Sequence, residues 1–319
     1  MGTRRNILLD CDPGIDDAIA LCLAAAHPEA FRLLGITTVA GNQTIEKVTE
    51  NALRLSEFLG LHAPVARGAR TPVIREPLTA SGIHGKNGLG DVLFPRTTAE
   101  PVKESAVLFM RNRIMELPPK EKVTLVAIGP LTNVGLLLKA CPEVRERILE
   151  IVVMGGASTG GNVTSNAEFN IYEDPEGAAM VFLSGLPLVM CGLDVTEKCG
   201  LDREDMELLL QRGGRVSEKI GKMLQFYLDS PGYRSKKAAS IHDAVTFMYL
   251  LHPEIFQGEK MYVQVDCSRG ISRGATVCDR RSGAPGQELP VLVLLDADTE
   301  KFREYLLEGI FSLDEKKEL

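Results

Sequence analysis

Short apolar runs alternate with amphipathic stretches along most of this chain, and this alternation restricts the folds open to it. The runs have the length of buried strands, whereas the longer stretches repeat their apolar positions with a helical period. Such alternation is typical of an α/β fold with an open, mostly parallel sheet and helices on both faces, which binds ligands at the carboxyl ends of its strands. The strand candidates are 6–9, 33–39, 123–128, 151–154 and 188–190, with 261–265 and 291–295 as possible extensions, and the helix candidates include 45–59, 102–115 and 131–139.

Length and composition predict one domain. With 319 residues, of which 45% are hydrophobic and 25% charged, the chain can bury one large core or two modest ones. Neither an internal repeat, nor a low-complexity segment, nor a linker divides the sequence, so we expect a single domain over 1–319. The charged segment 314–319 is expected to be a solvated end.

The charge pattern excludes several classes of partner. A formal net charge of −7 without a long Lys/Arg run argues against binding to nucleic acid. No apolar stretch reaches the roughly 18 residues of a membrane span, and residues 1–6 run into a strand rather than into a signal sequence. The expectation is a cytoplasmic protein that does not bind a membrane.

Four aspartates crowd into eight residues after the first apolar run: Asp10, Asp12, Asp16 and Asp17. Two carboxylates about 4 Å apart repel by roughly 4 kcal/mol at an effective dielectric near 20, so such a cluster needs a cation or shared protons. Their place at a strand end and a helix start favours a metal site, although Asp16 or Asp17 alone would also serve as a helix cap.

Two later segments carry polar groups in similar positions. The long polar loop 155–170 holds amides and a carboxylate that can bind hydroxyls, but on its own it also fits a solvated glycine-rich surface loop. His242-Asp243 lies at a predicted helix start, where an aspartate is commonly only a cap.

The seven cysteines form no CxxC pair and lie mostly in apolar segments, which predicts reduced structural thiols. Cys11 lies between Asp10 and Asp12, whose charges raise a thiol pKa and so disfavour a nucleophilic role.

Several ordered motifs together resemble the nucleoside hydrolases, specifically the inosine-uridine preferring type. The resemblance runs from about residue 6 past residue 250. The absence of Trp agrees with this type, because the purine-selective type holds the base with tryptophan. The motifs are Asp10-Cys11-Asp12-Pro13-Gly14-Ile15-Asp16-Asp17, Val39-Ala40-Gly41-Asn42, Ile83-His84-Gly85, Gly129-Pro130-Leu131-Thr132-Asn133, Met154-Gly155-Gly156, Asn162 with Glu168-Phe169-Asn170, and His242-Asp243.

The resemblance implies a Ca²⁺ site held by Asp12, Asp17, Asp243 and the backbone carbonyl of Ile128, with Asp10 orienting its neighbours. Oxygen ligands of this kind suit calcium. The histidines form no HExxH or HxH set, which disfavours zinc.

The implied reaction is hydrolysis of the N-glycosidic bond of a ribonucleoside to ribose and free base, in nucleoside salvage or catabolism. Asp12 would be the general base and His242 the acid that protonates the leaving base. The resemblance implies that Asp16, Asn42, Asn162, Glu168 and Asn170 hold the ribose, with Met154 beneath the ring and His84 near the base or the 5′ side. Phe169 is a further substrate-binding residue that it implies. For a base contact before His242, the sequence leaves Tyr227, Tyr233 and Arg234 open.

The chain departs from the family at Lys86-Asn87, where relatives carry Glu-Ser, and purine or pyrimidine preference stays open. One alternative is a phosphohydrolase of the haloacid-dehalogenase type, which also begins with DxD but carries Thr or Val where this chain has Gly14. A non-catalytic nucleoside-binding protein is the second alternative. The family commonly forms homodimers or homotetramers, and we expect the same here.

Overall fold

A nine-stranded sheet forms the centre of the computed structural model, which describes residues 4–281 and 291–315. In chain order the described strands are β1 (Arg5–Cys11), β2 (Phe31–Thr38), β3 (Val65–Arg67), β4 (Val123–Ala127), β5 (Ile148–Met154), β6 (Leu188–Cys191), β7 (Gly200–Asp202), β8 (Ala238–Ser240), β9 (Phe256–Val265), β10 (Thr276–Asp279) and β11 (Val291–Ala297).

The sheet order is β10-β9-β11-β6-β5-β4-β1-β2-β3, with β7 and β8 forming a separate antiparallel pair. Neighbours from β11 through β6 to β3 run parallel, whereas β9 is antiparallel to both β11 and β10. The predicted mostly parallel sheet is confirmed, and the two late segments do extend it.

Helices cover both faces of this sheet, as predicted, and two apolar cores fill the space between the layers. The first helix is apolar around nearly its whole circumference, and it is buried from Ile15 to Ala25. The described α-helices are α1 (Ile15–Ala26), α2 (Ile45–Phe58), α3 (Ser81–His84), α4 (Ala106–Met115), α5 (Thr132–Ala140), α6 (Phe169–Glu173), α7 (Pro175–Phe182), α8 (Leu193–Thr196), α9 (Arg203–Arg212), α10 (Arg215–Asp229), α11 (Ala244–Leu251) and α12 (Thr299–Glu315).

Two of the boundaries that differ from the sequence predictions have a clear physical reason. The polar loop after β5 ends at Glu168, because the Glu168 side chain accepts backbone N–H bonds from Asn170 and Ile171 and so caps α6. The helix predicted over 102–115 begins at Ala106, since Val102 is paired with Ala66 in an isolated bridge.

The expectation of a solvated end at 314–319 is wrong for Asp314. This residue lies in α12, its side chain is 7% exposed, and its Oδ1 accepts a 2.7 Å hydrogen bond from the Val216 backbone N–H. A carboxylate at the first turn of α10 is stabilised by the free N–H groups there. Residues 316–319 lie outside the described residues.

The strand register aligns the carboxyl ends at the centre of the sheet. Asp10 is paired with Thr37 on one side and with Ala127 on the other, so the segments that follow β1, β2 and β4 leave the sheet at one level. Among the described helices, none is both long and apolar enough to cross a bilayer.

Candidate active site

A cavity of about 650 Å³ opens at this edge of the sheet, within the usual volume range of small-molecule sites. Its floor and walls come from the segments after β1, β2, β4 and β5, from α10, and from the start of α11. The lining residues are Asp16, Asn42, Leu78, Thr79, Ala80, Ile83, His84, Ile128, Met154, Gly161, Asn162, Val163, Glu168, Phe169, Asn170, Glu197, Tyr227, Gly232, Tyr233, Lys236, His242 and Asp243.

Three buried carboxylates meet at the cavity floor. Asp16, Asp17 and Asp243 each offer an oxygen, and these oxygens lie within 4.8 Å of one another. Asp17 is fixed by local structure, because it accepts hydrogen bonds from the backbone N–H groups of Gly14 (2.8 Å) and Asp12 (3.1 Å) at the start of α1. Asp243 arrives from the opposite end of the chain at the start of α11, so the predicted convergence of residues 17 and 243 is what the fold produces.

Burial and mutual repulsion keep protons on this cluster in the absence of a cation. Burial raises the pKa of Asp17 to about 6, although its N–H partners oppose the change. The pKa of Asp243 is raised well above its usual value by burial and then by the charge of Asp16. The pKa of Asp16 is raised likewise, by burial and by Asp17.

Asp12 and Asp10 lie beneath the lining residues. Asp12 Oδ2 accepts a 2.7 Å hydrogen bond from the Asn42 N–H, whereas its buried Oδ1 has no partner among the described residues. Asp10 Oδ1 accepts from Thr37 Oγ1 (2.5 Å) and Asn133 Nδ2 (2.8 Å), which ties β1 to β2 and to α5. Burial raises the pKa of Asp12 well above its usual value and that of Asp10 to about 7.

The donor set of this floor fits a hard cation. Every side chain offered is a carboxylate, and Oδ1 atoms of Asp12 and Asp16 are buried without a hydrogen-bond partner in the described structure. Calcium and magnesium prefer such oxygen ligands, whereas zinc prefers nitrogen and sulfur. The set of carboxylates whose oxygens lie within 4.8 Å of one another includes Asp16, which the resemblance assigns to ribose. It does not include Asp12, which the resemblance assigns to the metal.

A polar wall rises from the floor on the side of α6. Glu168 Oε2 accepts a 2.9 Å bond from the Gly156 N–H, and burial raises the Glu168 pKa to about 7. Asn170 Nδ2 donates to the carbonyl oxygens of Ile128 (3.0 Å) and Met154 (3.2 Å), so it fixes both strand ends.

Two further predicted contacts lie higher on this wall. Asn162 is exposed, and its Oδ1 accepts a 2.9 Å bond from the Phe169 N–H. Phe169 is partly buried and lines the cavity.

A hydrogen-bonded chain of side chains lines the cavity beside the carboxylate floor, since His242 directly precedes Asp243. Tyr233 Oη lies 3.0 Å from His242 Nε2, His242 Nδ1 lies 2.8 Å from Thr196 Oγ1, and the Tyr227 hydroxyl donates to Tyr233 over 3.4 Å. Burial, followed by the charge of Lys236, lowers the pKa of His242 to about 3. His242 is therefore neutral near pH 7 in the free protein.

His84 stands beside this chain of side chains. Its Nδ1 accepts a 3.2 Å hydrogen bond from the Ile15 N–H, which leaves the proton of the neutral ring on Nε2. Burial lowers its pKa to about 4, and its ring centre lies 5.7 Å from that of Tyr227.

The departure at Lys86-Asn87 has a structural role. Asn87 Oδ1 accepts from the N–H groups of Leu89 (2.7 Å) and Asp91 (3.0 Å), and Lys47 Nζ donates to the Lys86 carbonyl (2.6 Å). The Asn87 bonds fix the shape of the loop that follows His84, and the Lys47 bond holds that loop against α2.

Among the three candidates before His242, the structure places Tyr227 and Tyr233 in the cavity wall and leaves Arg234 exposed outside it. The assignment of Arg234 as a substrate contact therefore has no support in the structure, because the turn after α10 directs Tyr233 inward. Tyr227 follows Val216 and Ile220 on the buried stripe of α10, and that helical spacing was a usable signal. Lys236 and Glu197 also line the cavity, and neither residue was predicted from the sequence.

The cysteine predictions agree with the structure. The cysteines are free thiols, and Cys11 is fully buried with a pKa raised well above its usual value by burial and by Asp17. Cys11 is therefore inert.

Comparisons with known proteins give the class of this fold and cavity. The family model described as inosine-uridine preferring nucleoside hydrolase matches residues 7–304. The non-specific ribonucleoside hydrolase RihC of Escherichia coli strain SE11 is 42% identical over 308 residues, which are 96% of this chain and 98% of RihC.

Solved structures agree. The plant nucleoside hydrolase PpNRh1 has a TM-score of 0.88 at 29% identity, covering 96% of this chain and 98% of that one. The purine-preferring ribonucleoside hydrolase from Gardnerella vaginalis has a TM-score of 0.89 at 29% identity, covering 97% and 99%.

An α/β fold with a carboxylate-floored cavity, in a chain this similar to those proteins, defines a nucleoside hydrolase, a class of hydrolases that act on N-glycosyl compounds. Within this class, the chain belongs to the inosine-uridine preferring nucleoside hydrolase family. The family and the kind of enzyme predicted from the motifs are confirmed, and the phosphohydrolase alternative is excluded.

Proposed function

We propose that this chain hydrolyses the N-glycosidic bond of ribonucleosides, in nucleoside salvage or catabolism, with Ca²⁺ as cofactor. The observation that carries the proposal is the pairing of a buried carboxylate floor with a neutral, hydrogen-bonded histidine in one cavity. A ribose over the floor places its base toward His242.

Asp12, Asp17, Asp243 and the Ile128 carbonyl would hold the calcium ion, with Asp10 orienting the segment that carries Asp12. The support is the all-oxygen donor set and the unpartnered Oδ1 of Asp12. When bound, the ion supplies positive charge that lowers the pKa of a nearby water and attracts ribose hydroxyls.

The ribose contacts proposed are the polar groups of the wall and the floor. Their carboxylates and amides match hydroxyls that both donate and accept, and Met154 offers an apolar surface beneath the ring. A missing 2′-hydroxyl would leave buried partners unpaired, which predicts strong rejection of 2′-deoxynucleosides. The proposed polar contacts are Asp16, Asn42, Asn162, Glu168 and Asn170, and Phe169 is a proposed apolar contact in the same wall.

Asp12 is the proposed general base. The Asn42 N–H fixes the orientation of its carboxylate, which can then take a proton from the attacking water. The remaining carboxylates stabilise the positive charge that develops on the sugar in an oxocarbenium-like transition state.

His242 is the proposed source of the proton for the leaving base. It is neutral in the free protein, so the proton that it delivers must first be taken up from solvent, and negative charge that develops on the departing base favours this protonated form in the transition state. A protonated His242 would donate from Nε2 to the Tyr233 hydroxyl, which can in turn donate to the base. His84, with its Nε2–H, and Tyr227 complete the proposed base contacts.

A reducing-sugar assay across inosine, uridine, cytidine, adenosine and 2′-deoxyinosine, with and without chelator, tests this function. The proposal expects release of ribose from the ribonucleosides, little from 2′-deoxyinosine, and loss of activity with chelator. Binding of nucleosides without turnover would instead establish the non-catalytic alternative. The cytoplasmic location and the homodimeric or homotetrameric state stay predictions, the second of which is measurable by light scattering.

A further inference from the structure

Two oppositely charged side chains at the cavity mouth make none of the substrate contacts proposed above. Lys236 Nζ lies 3.5 Å from Glu197 Oε1, and both residues line the cavity with half-exposed side chains, 47% and 48%. An ion pair this exposed contributes little to stability, so stability does not account for it.

Each member of this pair is next to a hydrogen-bond partner of His242, either in space or in sequence. The Lys236 ammonium lies 5.0 Å from the ring centre of Tyr233, whose hydroxyl lies 3.0 Å from His242 Nε2. Glu197 directly follows Thr196, whose hydroxyl lies 2.8 Å from His242 Nδ1.

The backbone fixes this arrangement. The Lys236 N–H donates to the Tyr233 carbonyl over 2.7 Å, so the turn that presents Tyr233 also presents Lys236. The antiparallel pair of β7 and β8 begins just beyond both charged residues and joins their two segments.

A nucleoside with its ribose on the carboxylate floor and its glycosidic nitrogen near His242 directs the far edge of its base to the mouth. In hypoxanthine and uracil this edge carries a carbonyl next to a ring N–H. An ammonium can donate to the carbonyl, and a carboxylate can accept from the N–H. Adenine and cytosine carry an amino group in place of the carbonyl, and a donor facing Lys236 is repelled.

We propose that Lys236 and Glu197 together recognise the far edge of the base by hydrogen bonds and favour nucleosides that carry a carbonyl beside a ring N–H. This inference rests on the proposed function and names its preferred substrates, the 6-oxopurine and 4-oxopyrimidine nucleosides. Negative charge on a departing oxo base spreads to the carbonyl oxygen. The ammonium therefore stabilises the transition state more than the ground state, and it raises kcat as well as affinity.

The test compares Lys236→Met with Lys237→Met on inosine, uridine, adenosine and cytidine. Lys237 is the adjacent lysine, exposed and outside the cavity lining, so its variant controls for loss of one charge. For Lys236→Met we expect kcat/KM to fall about tenfold on inosine and uridine, the size of one hydrogen bond to a charged group, and less than about threefold on adenosine and cytidine. Lys237→Met should match the parent protein on all four.

Equal losses on all four substrates, or no loss on any, would overturn the base-reading role, and unchanged melting temperatures would exclude a folding defect as the cause. If the parent protein hydrolyses none of the four, the proposed function fails. Calorimetric binding of inosine and adenosine to the same variants then decides this inference, which requires that only inosine binding weakens in Lys236→Met.

Discussion

Replacing Asp243 by Asn should change the stability of the protein in opposite directions without and with calcium. Asp243, Asp16 and Asp17 present oxygens within 4.8 Å of one another. At this distance and an effective dielectric near 20, each ionised pair repels by about 3.5 kcal/mol. Shared protons reduce that cost in the metal-free protein, so we expect Asp243→Asn to raise the free energy of unfolding by about 1–3 kcal/mol in EDTA.

Local structure adds no cost that would mask this gain. The Asp243 side chain makes no capping hydrogen bond at the start of α11, and an amide at this position still donates to Asp17. With excess Ca²⁺ the parent protein gains stability through binding, whereas the variant lacks one ligand and gains much less. The variant should therefore be the more stable protein in EDTA, and the parent protein should be the more stable one in excess Ca²⁺.

The assay is urea unfolding near neutral pH, in EDTA and in excess Ca²⁺, with Glu308→Gln as a charge-loss control. Glu308 is exposed on α12, so its variant should stay within about 0.5 kcal/mol of the parent protein in both conditions. An Asp243→Asn protein that is less stable than the parent in EDTA would refute the reasoning. It would mean that repulsion between the carboxylates does not destabilise the metal-free protein.

Three further predictions concern turnover. Asp12→Asn should nearly abolish hydrolysis while the melting temperature changes little, and a near-normal rate would remove Asp12 as the base. His242→Ala should slow inosine hydrolysis by about 10²–10⁴-fold yet spare nitrophenyl riboside, whose leaving group needs no proton, and equal losses on both would contradict the acid role. Tyr233→Phe should show the same substrate pattern with a smaller loss, because His242 keeps its Thr196 partner, and an unaffected inosine rate would separate Tyr233 from proton delivery.

The sheet and its edge were predictable because their signals are local. A buried strand followed by a Pro-Gly turn and an acidic helix start can be read within a dozen residues, and it places Asp17 on the backbone N–H groups of its own turn. The capping role of Glu168 belongs to the same class of local signal, yet it was missed and with it the start of α6.

The long-range features of the site had no such signal. Spacing alone favoured a simple cap at Asp243, and only the family resemblance joined it to the amino-terminal aspartates. Lys236 lies in a turn, where the sequence has neither helical nor strand periodicity. The direction of its side chain therefore could not be predicted from a sequence pattern. Asp314 was misread because a charged terminal segment looks solvated until the start of α10 is placed against it.

Calcium titration of chelator-treated protein by calorimetry tests the central claim most directly, namely that Asp12, Asp17 and Asp243 hold one divalent ion beneath the ribose. We expect one ion bound per chain, recovery of ribose release as the site fills, and loss of both in Asp243→Asn. Full hydrolysis by the metal-free protein, or unchanged calcium binding in Asp243→Asn, would contradict it.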